Sequence, residues 1–372
     1  MKIAMIGWEY PPFKVGGLGT HCYGLTHALA NLSVNVDFYI PKRTEQKMVK
    51  SERNLKIIEV GVANVFPYDR YRELPIENDF FNAVETYNSL CANRIKGCYD
   101  LIHCHDWLTM EAGIRLKEKL GIPLIVTIHS TEYDRSGGIY PNQYFIEREK
   151  RGMDAADRII AVSHFTKRII MEKYHIPEDK IRVVHNAVSK IGEGGKKKKI
   201  VLFFGRLTIQ KGAEFFLRAA KKVLEKENDC LFIVAGAGDM LPRLIDLAIH
   251  LGIANKVMFT GPLTDEEVKH IYRIASVYVL PSVSEPFGIT ALEAISAGTP
   301  AIISKTSGVA EVVKHSLTVD FWDVDEMANK IIALLRYHPL RKTMVENAKK
   351  EVDFLTWERT AEKTLEVYRE VI

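Results

Sequence analysis

The sequence predicts an α/β protein with two doubly wound parallel sheets, each covered by helices on both faces. Short β-branched runs alternate with longer stretches of helical periodicity along the whole chain, which is the βαβ pattern of parallel sheets. The length of 372 residues suits two domains. A polar stretch at 189–199, with one apolar residue among eleven, separates the two alternating halves and indicates a solvated linker.

The expected strands are short apolar runs, because a strand buried on both faces needs no polar side. In the first half they cover residues 2–6, 34–40, 57–62, 101–103, 124–128, 158–162 and 181–184. In the second half they cover residues 200–204, 231–235, 257–259, 277–280 and 300–304. Between the first two strands, an apolar residue at every third or fourth position from Leu18 to Leu32 predicts a helix.

These patterns set the expected domain boundaries. Residues 1–188 form a first Rossmann-like lobe, residues 189–353 a second, and residues 354–372 a final helix. Trp357, Leu365 and Tyr368 share one face of this helix, and no strand follows it. The pattern alone leaves open which lobe that face covers.

Composition excludes several classes of function. A formal charge of +4 without a basic stripe does not support nucleic-acid binding. Five cysteines without a C-x-x-C pair indicate neither a disulfide framework nor a zinc knuckle, and they favour a reduced, cytoplasmic chain. No uncharged apolar run approaches the ~18 residues that a membrane span needs, so we expect a soluble protein. The oligomeric state is not readable from the sequence.

Candidate binding residues follow the strands of the first half, because ligands of open parallel sheets bind beyond the carboxyl ends of the strands. Lys14, Gly16 and Gly17 precede the first helix, where glycine amides, a helix N-terminus and a lysine suit an anion. A plain strand-to-helix turn is an equal alternative.

Two further segments of the first half carry histidines. Three potential metal ligands stand in a row from His103 to His105, but adjacent strand residues point to opposite faces and cannot all reach one ion. We expect Asp106 and its neighbouring imidazole to line a cleft instead. His129 ends the next strand, and such a lone histidine is ordinarily structural.

In the second half, Arg206 and Lys211 stand between a strand and a helix. A forked guanidinium and an ammonium at a helix mouth suit a diphosphate, whereas the alternative is solvated surface charge. The G-x-G at Gly236 is not continued as a dinucleotide fingerprint.

The most informative stretch is 281–294. Gly288 precedes a helix that we expect to begin near Ile289 or Thr290, and the two carboxylates Glu285 and Glu293 flank that start. Such an arrangement offers carboxylates to two sets of hydroxyls and amides to a polar ligand between them. The D-x-D at Asp323 is different, because Glu326 and an apolar-periodic run follow, and it predicts a helix N-cap rather than a metal site.

Together these segments resemble the retaining GT-B glycosyltransferases, in which two lobes face across a cleft, and among them the glycogen and starch synthases. The resemblance spans essentially the full chain. The most specific element is the pair of glutamates eight positions apart, Glu285 and Glu293. The other matching segments are Gly205-Arg206-Leu207 with Lys211-Gly212, Lys14-Val15-Gly16-Gly17-Leu18, His105-Asp106-Trp107 and Thr127-Ile128-His129.

The resemblance implies a role for each matching residue. In the second lobe, Arg206 and Lys211 would hold the donor diphosphate, Glu285 would lie beside the transferred sugar and Glu293 would bind the ribose. Further donor contacts there would come from the amides of Phe287, Gly288 and Ile289 and, near the base, from Leu263. In the first lobe, the residues implied to close on the phosphates or line the sugar pocket are Lys14, Gly16, Gly17, Asp106 and His129.

The activity implied is retaining transfer of a hexose, glucose foremost, from a nucleotide sugar such as UDP- or ADP-glucose to an α-1,4-glucan. The family needs neither a metal nor a cofactor, and its last helix packs back on the first lobe. After His129 the chain continues with Ser130 rather than with the family's Asn and long insertion, so a lipid-linked or small-sugar acceptor remains an alternative. The same fold also serves nucleotide-sugar epimerases, pyridoxal-dependent phosphorylases and non-catalytic sugar-binding relatives.

Overall fold

A computed structural model describes residues 1–12, 16–42, 51–61 and 76–372 of the chain. Lys14 lies outside these described residues. The chain folds into two compact units, each with its own core. Unit 1 comprises Met1–Glu132, Tyr140–Ala187 and Thr356–Ile372, and unit 2 comprises Tyr133–Ile139 and Val188–Leu355.

The strands are numbered in chain order. They are β1 (Lys2–Ile6), β2 (Asn35–Pro41), β3 (Ser51–Glu52), β4 (Leu55–Val60), β5 (Leu101–His105), β6 (Leu124–Ile128), β7 (Arg158–Ala161), β8 (Ile181–Val183), β9 (Ile200–Phe204), β10 (Leu231–Ala235), β11 (Val257–Gly261), β12 (Val277–Leu280), β13 (Ala301–Ser304) and β14 (Leu317–Val319).

The helices are numbered in the same way. They are α1 (Gly17–Asn31), α2 (Ile76–Arg94), α3 (Trp107–Leu120), α4 (Glu132–Arg135), α5 (Gln143–Ala155), α6 (His164–Tyr174), α7 (Ala213–Leu224), α8 (Leu241–His250), α9 (Asp265–Ile274), α10 (Ile289–Ser296), α11 (Val324–Arg336), α12 (His338–Val352) and α13 (Trp357–Arg369). No helix among the described residues is both long enough and apolar enough to cross a membrane.

Unit 1 is built on an eight-stranded sheet of order β3-β4-β2-β1-β5-β6-β7-β8. Every neighbouring pair is parallel except β3 and β4, which are antiparallel. The central strands β5 and β6 are buried along their whole length, as expected of strands covered on both faces. Their carboxyl ends therefore open at the same edge of the sheet.

The last helix, α13, completes the core of unit 1. The Trp357 ring packs so closely on α1 that a Cβ atom at Gly24 would lie 2.2 Å from it. Tyr368 is fully buried, and its hydroxyl lies 2.6 Å from Nδ1 of His103 on β5. The Glu370 carboxylate accepts hydrogen bonds from Arg158 at 2.7 Å and Arg182 at 2.8 Å. Packing and charge both hold the end of the chain on unit 1.

Unit 2 is built on a six-stranded parallel sheet of order β11-β10-β9-β12-β13-β14. Helix α7 presents Phe216 and Leu217 to it, and both side chains are fully buried. Asp323 caps α11, because its carboxylate accepts a hydrogen bond from the Glu326 backbone N–H at 2.9 Å. Asp325, the second acid of the D-x-D, forms an ion pair with Lys222 at 2.7 Å.

The units depart from the expected lobe 1–188 at its last residue, Val188, which belongs to unit 2, and in one internal segment. Tyr133–Ile139 belongs to unit 2 although it precedes the linker in the chain. The reason is local: the buried carboxylate of Asp134 accepts a hydrogen bond from Ser284, and Gly137 lies against Val283. A polar and an apolar contact thus bind this segment to the loop after β12.

Candidate active site

In unit 2, the candidate residues cluster on two loops that follow adjacent strands, β9 and β12. The loops touch through their backbones, since the Val283 N–H donates to the Gln210 carbonyl at 2.9 Å. Gly212 has φ +66°, and a Cβ atom there would lie 2.1 Å from the Pro281 carbonyl oxygen. Only glycine allows this approach, which fixes the position of Lys211 beside the second loop.

The structure brings Lys211 and Glu285 together. Lys211 Nζ lies 2.6 Å from Glu285 Oε2, and the Ser282 hydroxyl donates to the same oxygen at 3.0 Å. The Glu285 side chain is 8% exposed and that of Lys211 19%. The Glu285 backbone is also held, because its N–H donates to the Thr306 carbonyl at 2.9 Å. A buried carboxylate and a cation are therefore fixed at one point of the loop.

Helix α10 begins at Ile289, as the sequence predicts, and Gly288 caps it. Gly288 has φ +107°, and a Cβ atom there would lie 3.0 Å from Val309 and 3.3 Å from Glu285 Cγ. Phe287 and Ile289 are buried on either side of it. The N-terminus of a helix carries partial positive charge, so α10 directs a favourable field for an anion toward the Glu285 loop.

Glu293 lies on α10 and contacts a residue that sequence reasoning missed. The hydroxyl of Tyr272, on α9, donates to Glu293 Oε2 at 3.2 Å. Burial, followed by the charge of Glu293, raises the pKa of Tyr272 well above its ordinary value, so the hydroxyl stays protonated. The only signal in the sequence is a tyrosine within the apolar stripe of an otherwise polar helix.

Arg206 shares the loop after β9 with Lys211, whereas Leu263 lies on a third loop of unit 2. Arg206 follows β9 and Leu263 follows β11, and both residues are half-buried. Since all strands of this sheet are parallel, both loops open at the edge that carries Lys211 and Glu285.

In unit 1, the first candidate segment begins helix α1. Gly16 is its N-cap, with an extended backbone at φ −165°, and Gly17 is its first residue. Both are exposed, and a Cβ atom at Gly16 would meet nothing within 4 Å. Their amides therefore lie at an accessible helix N-terminus.

Asp106 and His129 are brought together at the ends of β5 and β6. Asp106 Oδ1 accepts a hydrogen bond from the His129 backbone N–H at 2.7 Å, and the Asp106 N–H donates to the Thr127 carbonyl at 3.0 Å. Asp106 has φ +56° and is the N-cap of α3. The carboxylate thus orders the loop that presents His129.

Further histidines surround His129. His105 Nδ1 lies 3.0 Å from His129 Nε2. The His103 ring lies between two hydroxyl groups, with its Nδ1 2.6 Å from that of Tyr368 and its Nε2 2.7 Å from that of Thr127. His103 and His105 share one strand face, with ring centroids 4.4 Å apart, as the strand argument requires. Burial lowers the pKa of His103 to about 3, and burial together with the neighbouring rings lowers those of His105 and His129 well below the ordinary value.

His21, on α1, joins this group and was not anticipated from the sequence. Its Nδ1 lies 2.7 Å from Asn186 Oδ1, and its ring centroid is 4.4 Å from that of His129. Burial lowers the pKa of His21 to about 4. One nitrogen from each of His21, His105 and His129 lies within 4.8 Å of the others, so these three residues could hold a metal ion. A histidine inside the buried stripe of α1, beside Cys22, was the available signal.

The two units therefore carry different chemistry. Unit 2 combines a cation, a helix N-terminus and two carboxylates, which suits a polar ligand with an anionic group and several hydroxyls. Unit 1 offers neutral imidazoles and one carboxylate already bonded to backbone, which suits uncharged hydroxyl groups.

Two family models match the chain. The model described as "Glycosyltransferase Family 4" matches residues 15–190, and that described as "Glycosyl transferases group 1" matches residues 187–351. An uncharacterized glycosyltransferase of Methanocaldococcus jannaschii is 34% identical, and the match covers 99% of this chain and 98% of the relative. A D-inositol 3-phosphate glycosyltransferase of Acidothermus cellulolyticus is 28% identical over 100% of this chain and 90% of its own length.

Solved structures share the fold. Sucrose-phosphate synthase from Thermosynechococcus elongatus superimposes with a TM-score of 0.83 at 22% identity, covering 99% of this chain and 98% of that one. The Anabaena protein HepE, solved with UDP and glucose, gives a TM-score of 0.75 at 16% identity over 100% of both chains. The chain belongs to the glycosyltransferases, with the two α/β units of the GT-B fold, and residues 187–351 match the group 1 domain.

Proposed function

We propose that this chain is a retaining, metal-independent hexosyltransferase that moves a hexose, glucose foremost, from a nucleoside-diphosphate sugar to a small hydroxylated acceptor. The observation that carries the proposal is the Lys211–Glu285 pair, with 2.6 Å between Nζ and Oε2, at the N-terminus of α10. A cation, a carboxylate and helix amides at one point match a donor that joins a diphosphate to a sugar.

The diphosphate is the leaving group, and its negative charge grows in the transition state. Lys211 and Arg206 stabilise that charge, with the amides of Phe287, Gly288 and Ile289 adding the field of the α10 N-terminus. Because these groups are positioned before the reaction, they need no reorganisation when the bond breaks. This supports catalysis without a divalent metal or other cofactor.

The two carboxylates bind different parts of the donor. Glu293, held by the Tyr272 hydroxyl at 3.2 Å, binds the ribose hydroxyls, and Leu263 contacts the base. Glu285 binds the transferred sugar and keeps Lys211 oriented toward the phosphates. We assign no carboxylate nucleophile, and we propose that departure and attack take place on one face of the sugar, which retains its configuration.

Unit 1 supplies the remaining contacts in this proposal. Asp106 orders the His129 loop, and His129, whose pKa is well below the ordinary value, binds a sugar hydroxyl as a neutral imidazole. Gly16 and Gly17, at the start of α1, bind the donor phosphates, as does Lys14, which lies outside the described residues.

For the acceptor we favour a phosphorylated polyol or sugar, since the relatives include D-inositol 3-phosphate glycosyltransferases. An α-1,4-glucan is the second candidate, supported by the resemblance of the Lys14, Asp106 and His129 segments to glycogen synthases.

A screen of nucleotide sugars for thermal stabilisation tests the donor first. A ligand at 100 times its dissociation constant adds about 2.7 kcal/mol to the stability of the protein. The stabilising donor is then incubated, with chelator present, with inositol phosphate, with a sugar phosphate or with a maltooligosaccharide, and the product's anomeric configuration is read by NMR. If only the maltooligosaccharide is extended, the acceptor is a glucan and not the small molecule that we propose. Loss of transfer in chelator, restored by magnesium, or an inverted product would overturn the mechanism.

A further inference from the structure

Three histidines of unit 1 converge from separate elements. His21 comes from α1, His105 ends β5, and His129 follows β6. One nitrogen of each lies within 4.8 Å of the other two. His21 and His105 are buried, whereas His129 is half-buried and accessible from solvent.

His21 carries a nitrogen that no hydrogen bond uses. Its Nε2 is buried and finds no hydrogen-bond partner among the described residues. At His21 the tautomer follows from its neighbour, because the carbonyl oxygen of Asn186, 2.7 Å from Nδ1, can only accept. The proton therefore sits on Nδ1, which leaves the lone pair of Nε2 without a hydrogen bond. Metal-binding histidines in proteins are oriented in the same way, by a hydrogen bond from the other ring nitrogen.

The distance between His105 and His129 also suits ligands of one metal ion. His105 Nδ1 and His129 Nε2 are 3.0 Å apart. Two nitrogens bound at about 2.0–2.1 Å to one tetrahedral zinc ion lie ~3.3 Å apart, so an ion can replace the proton that these two rings share after a small displacement. The His21 nitrogen, within 4.8 Å of both, moves closer as the ion binds. Burial lowers the pKa of all three histidines, and neighbouring rings lower those of His105 and His129 further, which keeps them in the neutral form that ligates metals.

We propose that His21, His105 and His129 form a binding site for a divalent transition-metal ion of the zinc class. Three imidazoles without a carboxylate select such an ion over magnesium or calcium, which prefer oxygen ligands. The half-buried side of His129 provides the entry path and a fourth, open position. Binding does not depend on the proposed function. If that function holds, the ion inhibits transfer, because it occupies the imidazole that binds the sugar.

Titration of the full chain with Co²⁺ tests the site, since tetrahedral Co²⁺ absorbs visible light and Zn²⁺ displaces it. We expect one ion per chain. His21→Gln should weaken binding by roughly 100-fold or more through loss of a ligand, and Asn186→Ala by about 10–100-fold through loss of the bond that orients His21. The matched control is His27→Gln, on the same helix but bonded to the Tyr23 carbonyl, and it should bind as the wild type does.

Wild-type protein that shows no cobalt bands at millimolar Co²⁺ would overturn the proposal, as would equal affinity in His21→Gln and wild type. Circular dichroism verifies that each variant is folded. If His21→Gln does not fold, Asn186→Ala decides, and unchanged affinity in that variant counts against the site. Inhibition by Zn²⁺ that chelator reverses is read separately, so failure of the proposed function would leave the binding result intact.

Discussion

The candidate residues of the two units differ in charge. In unit 2 two of them, Lys211 and Glu285, are ions that already pair, with 2.6 Å between Nζ and Oε2. In unit 1 the histidines are neutral, because burial lowers the pKa of His21 to about 4 and that of His103 to about 3. Loss of a charged group from unit 2 should therefore cost more than loss of a histidine from unit 1, because charge-assisted hydrogen bonds are about twice as strong as neutral ones.

The largest effect is expected for Lys211→Ala. It removes the cation that meets the leaving diphosphate, so kcat should fall by about 10²–10³-fold in a steady-state transfer assay. Lys269→Ala is the matched control, because Lys269 pairs with an exposed Glu266 on the surface of α9. If the kcat of the Lys211→Ala variant stays within twofold of the wild-type value, Lys211 contributes no more to catalysis than an ordinary surface charge does.

The second-largest effect is expected for Gly24→Ala, which tests how closely α1 packs against α13 in unit 1. Gly24→Ala places a Cβ atom 2.2 Å from the Trp357 ring, and such overpacking costs about 1–3 kcal/mol of unfolding free energy in a urea titration. The double variant with Trp357→Leu makes room for the methyl group, so its cost should be smaller than the sum of the two single changes. Additive costs would mean that α13 does not press on α1.

His129→Ala should lower kcat by roughly 10-fold, since a neutral hydrogen bond contributes only about 0.5–1.5 kcal/mol. Measured beside Lys211→Ala in the same assay, it tests the charge contrast directly. If kcat falls as much in His129→Ala as in Lys211→Ala, or more, the contrast between the units is wrong, and His129 has an ionic or proton-transfer role.

The smallest effect is expected for Tyr272→Phe, which removes the hydroxyl bonded to Glu293. The KM for the donor should rise by about 3–5-fold with kcat unchanged, since ribose contacts persist from the ground state to the transition state. Tyr278→Phe is the control, because this equally buried hydroxyl bonds Thr290 instead. A fall in kcat at constant KM would place Glu293 at the reacting sugar.

The central strands were predictable because burial on both faces makes them apolar throughout. The predicted runs at 124–128, 200–204 and 277–280 coincide with β6, β9 and β12. Among the described residues, the strands that sequence reasoning missed are Ser51–Glu52 and Leu317–Val319, which lie at sheet edges and include the polar residues Ser51, Glu52 and Thr318.

The residues of the candidate site also differ in how far the sequence predicts them. Lys211, Glu285, Asp106 and His129 follow strands, so chain order alone brings them to one edge of their sheets. His21 and Tyr272 lie within helices and act through partners distant in sequence. His21 meets Asn186 across 165 positions, and no local pattern encodes that contact.

The short segment Tyr133–Ile139 has a consequence for anyone who wishes to divide or recombine this protein. The chain passes between the units after Glu132, Ile139, Ala187 and Leu355, so no single cut releases either unit whole. A fragment starting at Val188 would lack the Asp134 carboxylate that accepts from Ser284, next to Glu285. Chimeras with relatives should therefore exchange Tyr133–Ile139 together with Val188–Leu355, and keep the final helix with the first half of the chain.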